Sequence, residues 1–185
     1  MFKLTVFLLI LNFQTSAFSS TKEKIISQIE LINILSFNFT QTVGEKSEKG
    51  FCIIKYPKKI WCEYHNSNKK IIISNGKSLV IKTANKGSYY LYPLSKTPLV
   101  FLLDKKYLIS RMNDLEPREI DGKYLNFKFF EGNNEINIFF DKKNLSLIGW
   151  QTEDIYQNLA ITFISSVKIN QKISDKIFIL PNNIY

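Results

Sequence analysis

The sequence predicts a mainly β (α+β) fold: a single highly curved antiparallel sheet that forms an incomplete barrel of about eleven strands, covered by an N-terminal helix and short lid helices. Fifteen Phe and nine Tyr, against two Met and two Trp, favour strands over helices. Apolar and polar residues alternate along much of the chain, interrupted by Gly and Asn, as in antiparallel strands with one solvated face. About eleven strands in one domain of this length form a sheet that curls.

The chain begins with the pattern of a cleaved signal peptide, residues 1–17, and residues 18–185 are expected to form a single domain. Lys3 gives a basic start, residues 4–11 are an apolar run, and Thr15-Ser16-Ala17 supplies small residues for cleavage. A membrane anchor is the alternative, but the run is well short of the ~20 residues that span a bilayer. No cysteine follows the run directly, so we expect an exported protein without a lipid anchor.

An amphipathic helix is predicted at the start of the domain. Ser20 and Glu23 have the spacing of a capping box, in which each side chain bonds the other residue's backbone N–H. Ile25, Ile29 and Ile32 then form one apolar stripe at helical spacing, which ends near residue 33. This helix should lie against a sheet, because the apolar period changes to two beyond it.

Strands are predicted on both sides of a central apolar block. The clearest turns between them are Tyr56-Pro57-Lys58 and the hairpin signal Ser74-Asn75-Gly76-Lys77. The predicted strands cover residues 37–40, 51–55, 60–64, 71–73, 79–81, 89–92, 124–130, 135–140, 145–151, 159–167 and 176–180.

One face of the sheet is expected to be strongly apolar. Alternation assigns to it Phe37, Phe39, Phe51, Ile53, Leu79, Ile81, Leu125, Phe127, Phe129, Ile136, Ile138 and Phe140. Such side chains either fill a solid core, as in most small sheets, or line a cavity for an apolar ligand. Periodicity alone does not choose between the two.

The central block, residues 98–103, is almost wholly apolar and is predicted to be a short helix. Thr97 is the expected N-cap with Pro98 at the first helical position, and Leu99, Leu102 and Leu103 share one face. A helix that is apolar almost all round must be covered by protein or by a ligand. A second short helix is expected around residues 106–111.

The charge and the cysteines each allow two interpretations. The formal charge of +9 comes largely from dispersed Lys residues, which indicates either a solvated surface or attraction to an acidic partner or anionic membrane. Cys52 and Cys62 are equidistant from Pro57, so a hairpin turning there brings them opposite each other. They are expected to form a disulfide or to remain two buried thiols, and no metal site is expected.

No constellation of catalytic residues is recognisable. His65 is the single histidine and lies in a polar turn without a Gly-x-Ser-x-Gly motif, while most acidic residues also fall in predicted turns. The glycines of the predicted turns are isolated and form no phosphate-binding loop, and Lys and aromatic residues do not interleave as in nucleic-acid binding surfaces. We therefore expect no enzyme, no cofactor and no nucleic-acid partner.

A set of short motifs resembles the periplasmic lipoprotein carrier family, LolA, along nearly the whole chain. Each motif is weak alone, but their order and spacing are moderately specific. They are Phe37-x-Phe39-x-Gln41, Gly50, Pro57 with the strand to Tyr64, Ile72-Ile73-Ser74-Asn75-Gly76-Lys77-x-Leu79, Thr97-Pro98-Leu99 with Leu102-Leu103, and Phe178-x-Leu180-Pro181.

This resemblance implies a monomeric periplasmic carrier that shields the acyl chains of lipoproteins. Such a carrier receives them from an inner-membrane lipoprotein-releasing ABC transporter and delivers them to the outer membrane, often through a receptor lipoprotein. The alternative is a binding module of the same fold that senses lipids or lipoproteins in envelope signalling. The expected cavity residues are Phe37, Phe39, Phe51, Ile53, Trp61, Leu79, Leu99, Leu102, Leu103, Phe127, Phe129, Ile138 and Phe140.

Two positions depart from the family pattern. The family often has an arginine, linked to holding the lid shut, directly before the proline of the second turn, and this chain has Tyr56 there. Tyr56 is therefore the candidate latch, acting by packing or through its hydroxyl. The family's tryptophan in the next strand is displaced, with Cys62 near its place and Trp61 beside it.

Overall fold

One antiparallel sheet organises the chain in the computed structural model, which describes residues 20–65, 69–83, 89–154 and 156–181. The predicted signal peptide and the turn residues 66–68 and 85–87 lie outside the described residues. Within the described ranges there are three helices and eleven strands: α1 (Thr21–Leu31), β1 (Ile34–Val43), β2 (Lys46–Lys55), β3 (Lys59–Tyr64), β4 (Ile71–Asn75), β5 (Ser78–Lys82), β6 (Tyr89–Pro93), α2 (Leu99–Leu103), α3 (Lys105–Asn113), β7 (Arg118–Ile120), β8 (Tyr124–Glu131), β9 (Asn134–Asp141), β10 (Leu147–Glu153) and β11 (Leu159–Ile169).

The strand order is β6-β5-β4-β3-β2-β1-β11-β10-β9-β8-β7, and every neighbouring pair is antiparallel. The two edge strands, β6 and β7, do not pair with each other, so the sheet stays open. Between them the chain runs through a 3₁₀ turn at Leu94–Lys96, α2 and α3. The predicted incomplete barrel with covering helices is confirmed.

The number of strands agrees with the prediction, but one of the eleven strands is at a different place in the sequence. Arg118–Ile120 forms β7, an edge strand that the charged sequence after Pro117 did not indicate. The strand predicted at residues 176–180 is wrong, because a 3₁₀ turn occupies Asp175–Phe178. Its start is fixed by Ser174, whose hydroxyl accepts from the Lys176 N–H at 3.3 Å, and such caps favour helical turns.

The helix starts follow local capping rules with one correction. Ser20 and Glu23 form the predicted capping box at α1, and Asp104 caps α3 by accepting from the Tyr107 N–H at 3.2 Å. Thr97 is not the N-cap of α2: its hydroxyl donates to the Leu94 carbonyl at 2.9 Å and closes the preceding 3₁₀ turn. Pro98 takes the cap position instead.

Candidate functional site

The inner face of the sheet carries two groups of buried apolar side chains. The α3-side cluster consists of Ile25, Ile26, Ile29, Leu102, Leu108, Met112, Leu125, Phe127, Phe129, Ile136, Ile138 and Phe140. The β2-side cluster consists of Leu35, Phe37, Phe39, Cys52, Ile54, Ile60, Cys62, Tyr64, Leu79, Leu94 and Leu103. Packing within them is non-directional, with edge-to-face rings such as Phe127 and Phe140 at 5.8 Å.

Helix α2 lies between these two clusters as a wedge. Leu102 belongs to the α3-side cluster and Leu103, the next residue, to the β2-side cluster. Leu99 contacts both, as do Leu147 and Trp150 from the sheet. The five residues of α2 therefore fill the middle of the concave side. We call residues 94–113, which contain the 3₁₀ turn, α2 and α3, the lid.

Phe51, Ile53 and Trp61 do not face this interior, so their predicted place in it is wrong. Cys52 pairs with Phe37 and faces the inner side with it, so the residues on either side of Cys52 point outward. Ile53 in turn pairs with Trp61 on the outer face. The run from Phe51 to Ile54 is apolar on both faces, so alternation could not indicate which half points inward.

The C-terminal segment packs on the outer face of the sheet. The 3₁₀ turn Asp175–Phe178 packs against β3 and β4, and its Phe178 is buried. The Asp175 carboxylate lies 2.7 Å from the Lys55 ammonium and 3.5 Å from the Lys59 ammonium. Both lysines are on the outer face. The hydrogen bond from Lys55 lowers the pKa of the Asp175 carboxyl. This segment therefore covers the outer face of the sheet at β3 and β4.

Cys52 and Cys62 form a disulfide across β2 and β3, as one of the two predicted alternatives stated. They are directly opposite in the register, with their Cα atoms 4.1 Å apart, and both are buried in the β2-side cluster. The bridge closes the hairpin whose turn is Tyr56-Pro57-Lys58, where the Tyr56–Pro57 peptide is cis.

Gly50 makes room for an aromatic ring at the other end of the same hairpin. A Cβ at Gly50 would lie 2.6 Å from the Phe39 ring and 2.2 Å from the Glu63 carbonyl oxygen. The Phe39 ring therefore occupies the space that a side chain would take, and it meets Tyr64 edge to face at 4.8 Å. Glycine is required here because of this close approach.

Tyr56, the candidate latch, packs beside the lid. Its ring lies against the β2-side cluster, the Lys105 ammonium lies 5.7 Å from the ring centroid, and burial raises the pKa of its hydroxyl to about 12. Its backbone N–H donates to the Asn33 carbonyl at 2.9 Å. Tyr56 thus anchors the turn to the start of β1.

The directional ties between this turn and the lid come from Lys58 and Asp104. The Lys58 N–H donates to the Leu103 carbonyl at 2.9 Å, at the end of α2. The Lys58 ammonium pairs with the Asp104 carboxylate at 3.0 Å. Sequence reasoning missed both, although an Asp directly before a predicted helix is a cap signal.

Lys105 makes a third tie, from the lid to α1. Its ammonium donates to the carbonyls of Glu30 and Ile32, at 2.8 Å each. These carbonyls are at the C-terminal end of α1, where unpaired acceptors and the helix dipole favour a cation. The three ties hold the junction of α2 and α3 against the sheet and α1.

Two further polar groups border the interior. At α3, Tyr107 donates to Glu131, and Arg111 pairs with the same carboxylate at 3.4 Å. At the far end of β1, the Tyr64 hydroxyl donates to Gln41 at 2.9 Å, and the Gln41 amide donates to Thr162 at 3.1 Å. Burial, and then Glu48, raise the pKa of Tyr64. The apolar interior thus ends at a polar layer on β1, β3 and β11.

Among the described residues, no helix is both long enough and apolar enough to cross a bilayer. The geometry defines a class of protein in which an open antiparallel half-barrel encloses an apolar interior beneath short helices. The side chains of both clusters are suited to apolar contact.

The comparisons with known proteins agree with that class. The model of the family described as "Outer membrane lipoprotein carrier protein LolA" matches residues 30–180, and the chain belongs to this family. LolA-fold proteins are carrier and binding proteins of the cell envelope. No curated protein matches.

Several solved structures are similar to this chain at low identity. An uncharacterized conserved protein from Thermus thermophilus has a TM-score of 0.53 and 7% identity, covering 89% of this chain and 96% of its own. A LolA superfamily protein from Nitrosomonas europaea has a TM-score of 0.44 and 12% identity, with 88% and 99% covered. A lipoprotein-sorting protein domain from Vibrio parahaemolyticus has a TM-score of 0.47 and 5% identity, with 84% and 94% covered.

Proposed function

We propose that this protein is a periplasmic carrier that shields the acyl chains of lipoproteins between the lid and the inner face of the sheet. It takes them from an inner-membrane ABC transporter and delivers them towards the outer membrane. The observation that carries the proposal is α2, a five-residue apolar wedge between two apolar clusters. Membership in the LolA family supports it.

The energetics of acyl chains require such a shield. Each methylene exposed to water costs about 0.8 kcal/mol, so a multiply acylated protein does not cross an aqueous space unprotected. Side chains such as Phe37, Phe127 and Leu103 are fully buried when the lid is closed. If α2 withdraws, the surfaces of both clusters become available, and acyl chains replace the leucines of the wedge.

The load must also be released. Apolar contacts are non-directional, so chains leave without breaking fixed hydrogen bonds. The directional ties described above join the lid to its surroundings at the end of α2 and at α3, rather than along the inner face of α2. Opening the lid breaks the ties at the junction of α2 and α3, whereas replacing the leucines of α2 by acyl chains breaks no hydrogen bond along its inner face.

Binding of a synthetic triacylated lipopeptide and of bis-ANS, an apolar fluorescent probe, tests the proposal. Leu102→Asp places a charge among buried leucines and should abolish binding of both, because an unpaired charge in an apolar interior is strongly unfavourable. Leu31→Asp is the matched control: Leu31 is 70% exposed at the end of α1 and should leave binding unchanged. A wild-type protein that binds neither probe would contradict the proposal.

Partner capture separates carriage from the sensing alternative. Crosslinking in the periplasm should recover the lipoprotein-releasing transporter and acylated lipoproteins. Recovery of a signalling protein without the transporter would favour a sensing module of the same fold.

A further inference from the structure

A polar cleft lies where the edge of the sheet meets the turn between β10 and β11. Asp154 and Gln157 of that turn lie across from Ser95 and Lys96, in the chain that leaves β6 and enters the lid. The cleft between them has a volume of about 320 Å³ and is lined by Ser95, Lys96, Asn134 and Gln157, among others.

The cleft shares a wall with the apolar interior. Phe101 of α2 lines the cleft, and the same side chain packs against the α3-side cluster and meets the Tyr107 ring at 5.5 Å. Pro98, the cap of α2, lines it too. A movement of α2 that opens the interior therefore moves the wall of the cleft, and the two spaces become continuous.

The other residues that line the cleft are polar, and two of them, Lys96 and Asp154, are charged. Lys96 and Gln157 are exposed, and Asn134 is half-buried at the start of β9. Asp154 is already used by the turn, where its carboxylate accepts from the backbone N–H groups of Tyr156 and Asn158 at 2.8 and 2.9 Å. Hydrogen-bond donors therefore come mainly from Lys96, Gln157 and the Ser95 hydroxyl.

We propose that this cleft holds the polar end of an acylated lipoprotein, its glyceryl esters and first peptide groups, while the acyl chains lie beneath the lid. The inference rests on the proposed function. Ester and amide carbonyls are acceptors that match the donors of the cleft, and the volume is at the lower end of the ~300–1,000 Å³ typical of small-molecule sites. The position beside Phe101 places these groups where the chains would emerge.

The test compares three probes on the full protein. The first is tripalmitoyl-S-glycerylcysteine extended by Ser-Gly-Gly, the second is hexadecane, which has no polar group, and the third is a short-chain diacyl phospholipid with glyceryl esters and no peptide. Lys96→Ala with Gln157→Ala removes two donors from exposed positions and should weaken lipopeptide binding about thirtyfold, since each hydrogen bond lost costs about fivefold in affinity. Hexadecane binding should stay unchanged, because hexadecane has no acceptor for these donors.

Two further variants test whether the effect comes from the cleft. Ser95→Trp fills the cleft from an exposed position and should also weaken the lipopeptide selectively. Lys143→Ala removes a charge from an exposed turn that does not line the cleft, and it should change nothing.

The outcomes are distinguishable. If wild type binds neither lipopeptide nor hexadecane, the carrier function fails. If wild type binds both and the cleft variants bind them equally well, the function stands and the cleft assignment is overturned. If the variants weaken the phospholipid as strongly as the lipopeptide, the cleft recognises any acylglycerol, which overturns its assignment to lipoproteins.

Discussion

Substitution of Asp104 should separate closure of the lid from stability of the fold. This carboxylate has two roles: it caps α3 through the Tyr107 N–H, and it pairs with Lys58 across the lid boundary. The cap exists whether the lid is open or closed, whereas the pair exists only when it is closed. Asp104→Asn keeps a good capping side chain and loses the charge, while Asp104→Ala loses both.

The magnitudes follow from these roles. Both partners of the ion pair are partly exposed, with side chains 38% and 28% accessible, so the pair contributes about 0.5–1 kcal/mol. Its loss should increase the open population about twofold to fivefold in both variants. Only Asp104→Ala should lose the further ~1 kcal/mol of unfolding free energy that belongs to the cap.

Stopped-flow uptake of a fluorescent fatty acid reports the open population, and denaturant unfolding reports the cap. Lys58→Asn should reproduce the faster uptake, because Asn tolerates the left-handed conformation of Lys58, whose φ is +66°. The double variant Lys58→Asn with Asp104→Asn should take up the fatty acid no faster than either single variant. Uptake by Asp104→Asn no faster than by wild type, or equal loss of stability in the two Asp104 variants, would refute this reasoning.

Three other predictions concern the hairpin and its cover. Reducing the Cys52–Cys62 disulfide, whose cysteines are 10 residues apart, should lower the unfolding free energy by about 3 kcal/mol, measured by denaturation with and without reductant; an unchanged midpoint would contradict it. Gly50→Ala should destabilise by about 1–3 kcal/mol, because its Cβ would clash with the Glu63 carbonyl oxygen and the Phe39 ring; wild-type stability in that variant would contradict this close approach. The pKa of Asp175 is lowered in the folded state by its hydrogen bond from Lys55. The contribution of Asp175 to folding stability is therefore fully present above the ordinary Asp pKa of about 3.9, and it is lost as the pH falls through the lowered pKa. Trp61 fluorescence should follow this acid release, and Asp175→Asn should abolish the dependence; an identical acid transition in that variant would exclude this mechanism.

The sequence predicted the elements whose signals are local. The capping box at Ser20, the hairpin at Asn75-Gly76 and the apolar block of α2 depend on neighbouring residues, and each is found where expected. It could not predict the faces of β2, because Phe51, Cys52, Ile53 and Ile54 are apolar at every position. The partner of Phe39 is Gly50, and this register determines the inward residues.

The ties of the lid were beyond sequence reasoning for a different reason. Most of their acceptors are backbone carbonyls, those of Glu30, Ile32 and Leu103, which every residue type provides. Tyr56 drew attention because of its position in the motif, yet the charged contact to the lid comes from Lys58, two residues later. The sequence therefore indicated the turn that contacts the lid, but not Lys58.

The strand order also dictates how the chain folds. The ladder from β1 to β6 and the ladder from β7 to β11 each join strands that follow one another in sequence, and these form through short loop closures. The seam between them pairs Leu35 with Ile169 and Val43 with Ala160, so it needs the last strand of the chain. Contacts so distant in sequence slow folding. A nascent chain consequently holds two half-sheets with exposed apolar faces until β11 is available, and a chain truncated before β11 never joins them.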